Sequence, residues 1–171
     1  MTESKNCSYK HGCLGGTFDR LHGGHKLLLD TAFTLIQNVL IGITTDELAR
    51  RGKEIPKLIY DYEKRAEDVR TYLLDKGITE DRIHIKPLSR ATQYADEHPE
   101  LEVIVLSPET YGRLLDINDI RRDKNLGELI AIAIPYYRND SGKIVSSKLF
   151  RELELQLEQQ IKRKNDDAVL E

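Results

Sequence analysis

Five short apolar runs, separated by polar stretches with helical spacing, leave this chain few folds to choose from. The runs lie at residues 9–14, 39–44, 82–88, 101–106 and 129–135. Helical patterns fill the gaps at 24–37, 60–76 and 109–124, and a last helix opens near Ser146. In the second of these, Ala66, Val69, Tyr72 and Leu73 recur at steps of three and four, and Gly77 stops the pattern. Runs this short and this apolar read as strands buried on both faces. Strand–helix alternation then predicts an α/β architecture: a doubly wound parallel sheet of about five strands, helices on both faces, joined by right-handed crossovers.

Sheets of this kind bind ligands beyond the carboxyl ends of their strands, where the strand order reverses. The stretch from Gly15 to His25 falls there, between the first strand and the first helix. Gly15 and Gly16 permit close approach of the backbone, and Gly23 and Gly24 do the same just before the helix. A helix start offers free N–H donors and a partial positive charge. His22 and His25 bracket that start, and Asp19 suits capping of the turn. Together these residues form a place for phosphate groups. A second such place is predicted at the last helix, where Ser146 and Ser147 open it and Arg151 follows one turn later. Either serine alone would read as an ordinary cap; both stretches together read as a site for phosphate groups.

A length of 171 residues suits one domain, 1–171, with a charged tail at about 159–171. The net charge of −3 gives no basic footprint for a nucleic acid. No stretch approaches the ~20 apolar residues that span a membrane. The first ten residues are polar and do not form a signal peptide. Cys7 and Cys13 match no zinc or disulfide pattern and read as reduced thiols of a cytoplasmic protein. The charged loop 50–57 and the tail are the segments expected to move. The run Lys162-Arg163-Lys164 reads as a solvated helix end or, failing that, a weak partner contact.

The pattern G-T-F-D-x-x-H-x-G-H, ending at His25, resembles the first motif of the nucleotidyltransferase superfamily. The stretch Val145-Ser146-Ser147-Lys148-Leu149-Phe150-Arg151 resembles its I-S-S-T-x-x-R motif, with Lys148 where Thr is common. Three stretches are similar to phosphopantetheine adenylyltransferases of the archaeal and eukaryotic type: this V-S-S-x-x-F-R form, Leu106-Ser107-Pro108-Glu109-Thr110-Tyr111 followed by Ile117-Asn118-Asp119-Ile120-Arg121, and Tyr60-Asp61-Tyr62-Glu63-Lys64-Arg65. The resemblance runs over residues 9–152 and carries a Rossmann-like fold with it. Cytidylyltransferases place Arg-Thr-Glu-Gly ahead of the last motif. Asp140-Ser141-Gly142-Lys143 stands there instead, which argues against CTP.

This resemblance implies a direct in-line transfer of the adenylyl group of ATP to 4′-phosphopantetheine. The products are dephospho-coenzyme A and pyrophosphate, a step of coenzyme A biosynthesis. Mg²⁺ is implied with ATP, and no dedicated carboxylate cage is visible. The implied partners are these two substrates, with neither nucleic acid nor membrane; the oligomeric state stays open. His25 is implied to contact the α-phosphate and His22 the triphosphate end. Thr17 and Lys53 are assigned to the acceptor phosphate, with Lys57 as rival to Lys53. Gly16 and Phe18 offer backbone near ATP, and Ser146, Ser147 and Arg151 hold the β- and γ-phosphates. Ser107 and Pro108 seat adenine and ribose, with Asn118 facing the same site. Arg121 either reaches phosphate or stabilises its helix. Two other readings remain: another transferase, such as a CTP-dependent enzyme acting on glycerol 3-phosphate, and a non-catalytic nucleotide-binding protein on the same fold.

Overall fold

A computed structural model describes residues 7–53 and 55–168, with residues 163–168 described by backbone alone. Strands β1 (Tyr9–Gly16), β2 (Ile36–Thr44), β3 (Ile83–Leu88), β4 (Val103–Leu106) and β5 (Ile130–Ala133) form one sheet in the order β3-β2-β1-β4-β5. Every pairing is parallel. Helices α1 (Gly23–Leu35), α2 (Asp46–Arg50), α3 (Tyr62–Asp75), α4 (Arg113–Asp123) and α5 (Ser147–Ala168) complete the fold. The chain winds outward through β2 and β3, then returns to the far side of β1 as β4. The switch point therefore lies between β1 and β4.

Successive side chains of a strand point to opposite faces, and β1 shows the consequence. Leu14 joins a core with Leu29 of α1, Val69 of α3, Ile41 and Val103. Cys13 joins a second core on the other face, with Ile104, Leu106, Leu129 and Ile117 of α4. Each fully buried aliphatic side chain contributes about 1.5–3 kcal/mol, so both faces hold their helices by the same means. No helix among the described residues is long and apolar enough to cross a membrane.

Several stretches differ from expectation. β2 begins at Ile36, because α1 passes into it without a turn: the Ile36 N–H still donates to Ala32 while Ile36 already pairs with Tyr9. α4 begins at Arg113 rather than near Glu109, since Ser107 and Thr110 close a turn on each other first. The charged loop at 50–57 contains order, with Pro56–Leu58 making one 3₁₀ turn; Glu54 lies outside the described residues. The tail expected from about residue 159 is helical as far as Ala168, and 169–171 lie outside the described residues.

Candidate active site

A cleft of about 400 Å³ opens beyond the carboxyl ends of β1 and β4. Its floor is Gly16, Thr17 and Phe18, where β1 ends. One wall carries His22 and His25 from the start of α1, with Ser146 and Ser147 at the start of α5. Lys53 reaches it from the segment after β2, and Ser107 and Pro108 from the segment after β4. A more open groove of about 540 Å³, lined by Arg20, Tyr60, Tyr72, Phe150 and Glu154, holds none of these residues.

The start of α1 is capped by two imidazoles. His22 is the N-cap, and its Nδ1 accepts the Gly24 N–H at 3.1 Å. The His22 N–H in turn donates to His25 Nδ1 at 3.4 Å. This is the reciprocal logic of a capping box, with histidines in place of the usual hydroxyl and carboxyl groups. An Nδ1 that accepts leaves the proton of a neutral ring on Nε2. Neither Nε2–H has a protein acceptor among the described residues, so both remain available as donors. The rings stack at a centroid separation of 3.8 Å.

Burial keeps both rings uncharged. It pushes His25 down to about 3, with His22 adding to the effect. It pushes His22 down to about 4, against the pull of Asp19. In the unfolded chain a histidine takes up its proton near pH 6.5. Between that pH and about 4 the unfolded state therefore binds more protons than the folded one, and stability falls as pH falls. Urea unfolding at pH 7.5 and pH 5 is expected to show this loss, and His25→Gln to lose less over the same interval. Equal losses in the two proteins would contradict neutral burial of His25.

Asp19 has a different role from the turn cap that its position suggests. Phe18 (φ 55°) and Arg20 (φ 49°) take the left-handed conformation and turn Asp19 inward, where it is fully buried. Such backbone costs of order 1–3 kcal/mol per residue. Asp19 offsets that cost by accepting from the Tyr60 N–H at 3.0 Å, Arg20 at 2.9 Å and Arg151 at 2.6 Å. Its carbonyl accepts from the Ser147 hydroxyl at 2.5 Å. The end of β1 and the start of α5 are thus joined through one residue.

This junction relocates Arg151. The side chain expected on phosphate is buried against Asp19 and does not line the cleft, because a buried carboxylate without a cation is costly. Asn118 and Arg121 also lie off the cleft. Asn118 exchanges two hydrogen bonds with the Leu129 backbone, at 2.8 and 3.1 Å, and so fixes the entry to β5. Arg121 is fully buried and donates to the carbonyls of Ala95 (2.7 Å) and His98 (3.0 Å), ahead of β4. Arg121 thereby joins α4 to the segments on either side of it, 95–101 and 127. Of the two candidate lysines, Lys53 lines the cleft and Lys57 does not.

Several cleft residues carry no sequence motif. Thr44, at the end of β2, donates its hydroxyl to that of Thr17 at 3.2 Å; the carboxyl-end rule for such sheets points to it. Arg113 opens α4 at the cleft. Tyr137 lies so close to the start of α1 that a Cβ on Gly23 would stand 2.1 Å from its ring. A larger residue at 23 would have to push the Tyr137 ring aside, and nothing local in the sequence announces Tyr137.

Residues 13–153 match the cytidylyltransferase-like family. Two archaeal proteins named phosphopantetheine adenylyltransferase are similar to most of the chain. That of Methanopyrus kandleri is 39% identical over 138 residues, 81% of this chain and 86% of its own. That of Thermococcus kodakarensis is 41% identical over 143 residues, 84% and 85% respectively. Among solved structures, a protein of unknown function from Archaeoglobus fulgidus superposes with a TM-score of 0.64 at 31% identity, over 73% of this chain and 88% of that one. A pantoate-beta-alanine ligase from Francisella tularensis shares the fold, with a TM-score of 0.57 at 16% identity over 83% of this chain and 65% of its own.

Proposed function

Because the chain belongs to the phosphopantetheine adenylyltransferases of the cytidylyltransferase-like family, we infer that it transfers the adenylyl group of ATP to 4′-phosphopantetheine, giving dephospho-coenzyme A and pyrophosphate on the route to coenzyme A. The observation that carries this reading is the meeting of two helix starts, α1 and α5, at one cleft beyond β1. A helix start carries a partial positive charge that suits a substrate rich in phosphate.

An oxygen of the acceptor's 4′-phosphate attacks the α-phosphorus of ATP. The bond from that phosphorus to the α,β-bridging oxygen breaks, and pyrophosphate leaves with the electron pair. The attacking group is already an anion, so the chain needs neither a nucleophile nor a base. Its work is to hold two polyanions in line and to stabilise charge on the equatorial oxygens. We assign the Nε2–H of His25 to an α-phosphate oxygen and that of His22 to the triphosphate end. Thr17 and Lys53 take the acceptor phosphate, on the side of the cleft next to β2. Ser146 and Ser147 take the β- and γ-phosphates at the start of α5. Gly16 and Phe18 offer backbone to the nucleotide, and Ser107 and Pro108 border its adenine and ribose. Arg151 acts through Asp19, by fixing the start of α5 against the end of β1.

Among the described residues, no group of three or more His, Cys, Asp or Glu side chains could hold a metal ion. A site of hydroxyls and N–H donors fits Mg²⁺ that arrives on ATP, since this ion keeps water and phosphate oxygens as ligands. When bound, it supplies neutralisation of phosphate charge. Cys7 and Cys13 are free thiols, Cys13 with its pKa pushed up to about 12 by burial, and both suit the reducing cytoplasm in which we place the enzyme.

Turnover of the purified chain with Mg-ATP and 4′-phosphopantetheine is expected to release pyrophosphate and a product with the mass of dephospho-coenzyme A. Product formed only in a parallel reaction with CTP and glycerol 3-phosphate would overturn the choice of substrates. ATP binding with no turnover in either reaction would favour a binding protein.

A further inference from the structure

We propose that Tyr136 is the surface on which the base of the nucleotide stacks, a residue that sets affinity for ATP without touching its phosphates. The proposal rests on the reading above, in which the cleft takes ATP and the base lies beside Ser107 and Pro108. The sheet brings Tyr136 to that place. β4 and β5 are paired up to Leu106 and Ala133, and the Ile134 N–H still donates to the Leu106 carbonyl at 3.0 Å. Neighbouring strands lie about 4.7–4.9 Å apart. Residues 107–108 and 135–136 therefore leave the sheet side by side, and all four line the cleft.

The cleft is lined by the rings of Phe18, His22, His25, Tyr136 and Tyr137. Phe18 is fully buried. His22 and His25 stack on each other. The Tyr137 ring rests against Gly23 at the start of α1, the end of the cleft given to phosphate. Tyr136 is 45% exposed. Among the described residues its ring meets no other ring and no cation, and its hydroxyl has no hydrogen-bond partner. The backbone that carries it is nevertheless fixed. Ile134 is buried on one side. On the other, residues 137–145 close on themselves: the Val145 N–H donates to the Tyr137 carbonyl at 3.0 Å, and the Asn139 N–H to the Lys143 carbonyl at 2.9 Å. The Lys143 N–H returns to the Asn139 side chain at 2.9 Å. A ring held this way before the nucleotide arrives loses little freedom on binding. Every base has a flat face that such a ring can take up.

Titration of the purified chain with Mg-ATP and, in parallel, with magnesium tripolyphosphate separates the base from the phosphates. Tyr136→Ala is expected to raise the dissociation constant for ATP about 5–10-fold, the lower end of what a lost base–aromatic stack costs, because the ring is half-exposed. The constant for tripolyphosphate should not change. Tyr136→Phe keeps the flat face and should bind ATP as the wild type does, whereas Tyr136→Leu, apolar but not flat, should bind it as Tyr136→Ala does. In turnover the loss should fall on KM for ATP and spare KM for 4′-phosphopantetheine. Unchanged ATP binding in Tyr136→Ala would overturn the proposal. So would an equal loss for tripolyphosphate, which would mean a disturbed cleft, or full affinity in Tyr136→Leu, which would mean a contact of bulk rather than a stack. These constants are read without turnover. A chain that shows the expected binding pattern yet forms no dephospho-coenzyme A would count against the reaction and not against the stack.

Discussion

His25→Ala is expected to lower kcat by about 10²–10³, the loss that follows removal of one preorganised donor to developing charge, or about 2.7–4 kcal/mol. KM for ATP should move much less. The imidazole has only one end to offer, because its Nδ1 accepts the His22 N–H and its proton therefore sits on Nε2. Burial holds the ring uncharged, its pKa pushed down to about 3. In the free enzyme the ring then acts as a fixed dipole rather than a cation, with little to give a ground state and more to give a transition state in which charge gathers on the α-phosphate. Alanine also removes a cap acceptor, which costs about 0.5–2 kcal/mol of stability. His22→Ala removes the other half of the same cap, through Gly24, together with the donor assigned to the triphosphate end; that contact is read in KM for ATP, and the variant serves as the control for kcat. If kcat falls equally in both variants, the loss is one of helix geometry; a much larger fall in His25→Ala belongs to the donor. An unchanged kcat in His25→Ala would remove the residue from the chemistry.

The part of the site near β1 is readable in the sequence because its signals are crowded and local. Two glycine pairs and two histidines within eleven residues, placed after an apolar run, fit few other arrangements. The strands are readable for the same reason: β4 is buried at every position and the middle of β2 nearly so, which leaves short apolar runs. Arg121, Asn118 and Arg151 are a different matter. Each is polar, falls inside a motif, and could answer a phosphate. In the fold each meets a backbone group or a carboxylate outside its own motif: Ala95 and His98 for Arg121, Leu129 for Asn118, Asp19 for Arg151. A buried carbonyl or carboxylate without a donor costs about as much as a hydrogen bond gains, or more, so these side chains are drawn inward. The sequence shows which groups can donate, and only the fold shows which acceptors would otherwise go without. Asp19 illustrates this most clearly, since its inward turn depends on two left-handed residues, neither of them glycine.

Arg65→Met is expected to destabilise the fold by about 3–5 kcal/mol, the cost of leaving three backbone carbonyls buried without their donor. Arg65 is fully buried at the first turn of α3. It donates to the carbonyls of Tyr60 (2.7 Å), Thr17 (2.7 Å) and Thr44 (2.8 Å), to the Thr44 hydroxyl (3.3 Å) and to Asp46 (2.9 Å). These five bonds use every N–H of a guanidinium. Methionine has a comparable length and none of the donors. The carboxylate of Asp46 is 33% exposed, so water can take over its share and that bond is worth little. The three carbonyls decide the magnitude, at about 1–3 kcal/mol for each left buried and unpaired. Against a total stability of about 5–15 kcal/mol, the loss should be plain in urea unfolding at pH 7. A loss below about 1 kcal/mol would mean that water or a shifted side chain satisfies those carbonyls. The chemistry should suffer as well, because Arg65 holds the end of β1 to the end of β2, where the hydroxyls of Thr17 and Thr44 meet. In whatever fraction of Arg65→Met stays folded, KM for 4′-phosphopantetheine should rise more than KM for ATP. Arg65→Lys keeps the charge but offers three donors from a single point; it can reach one or two of the carbonyls and should recover part of the stability. Equal rises in both KM values would place the damage in the whole cleft rather than on its acceptor side.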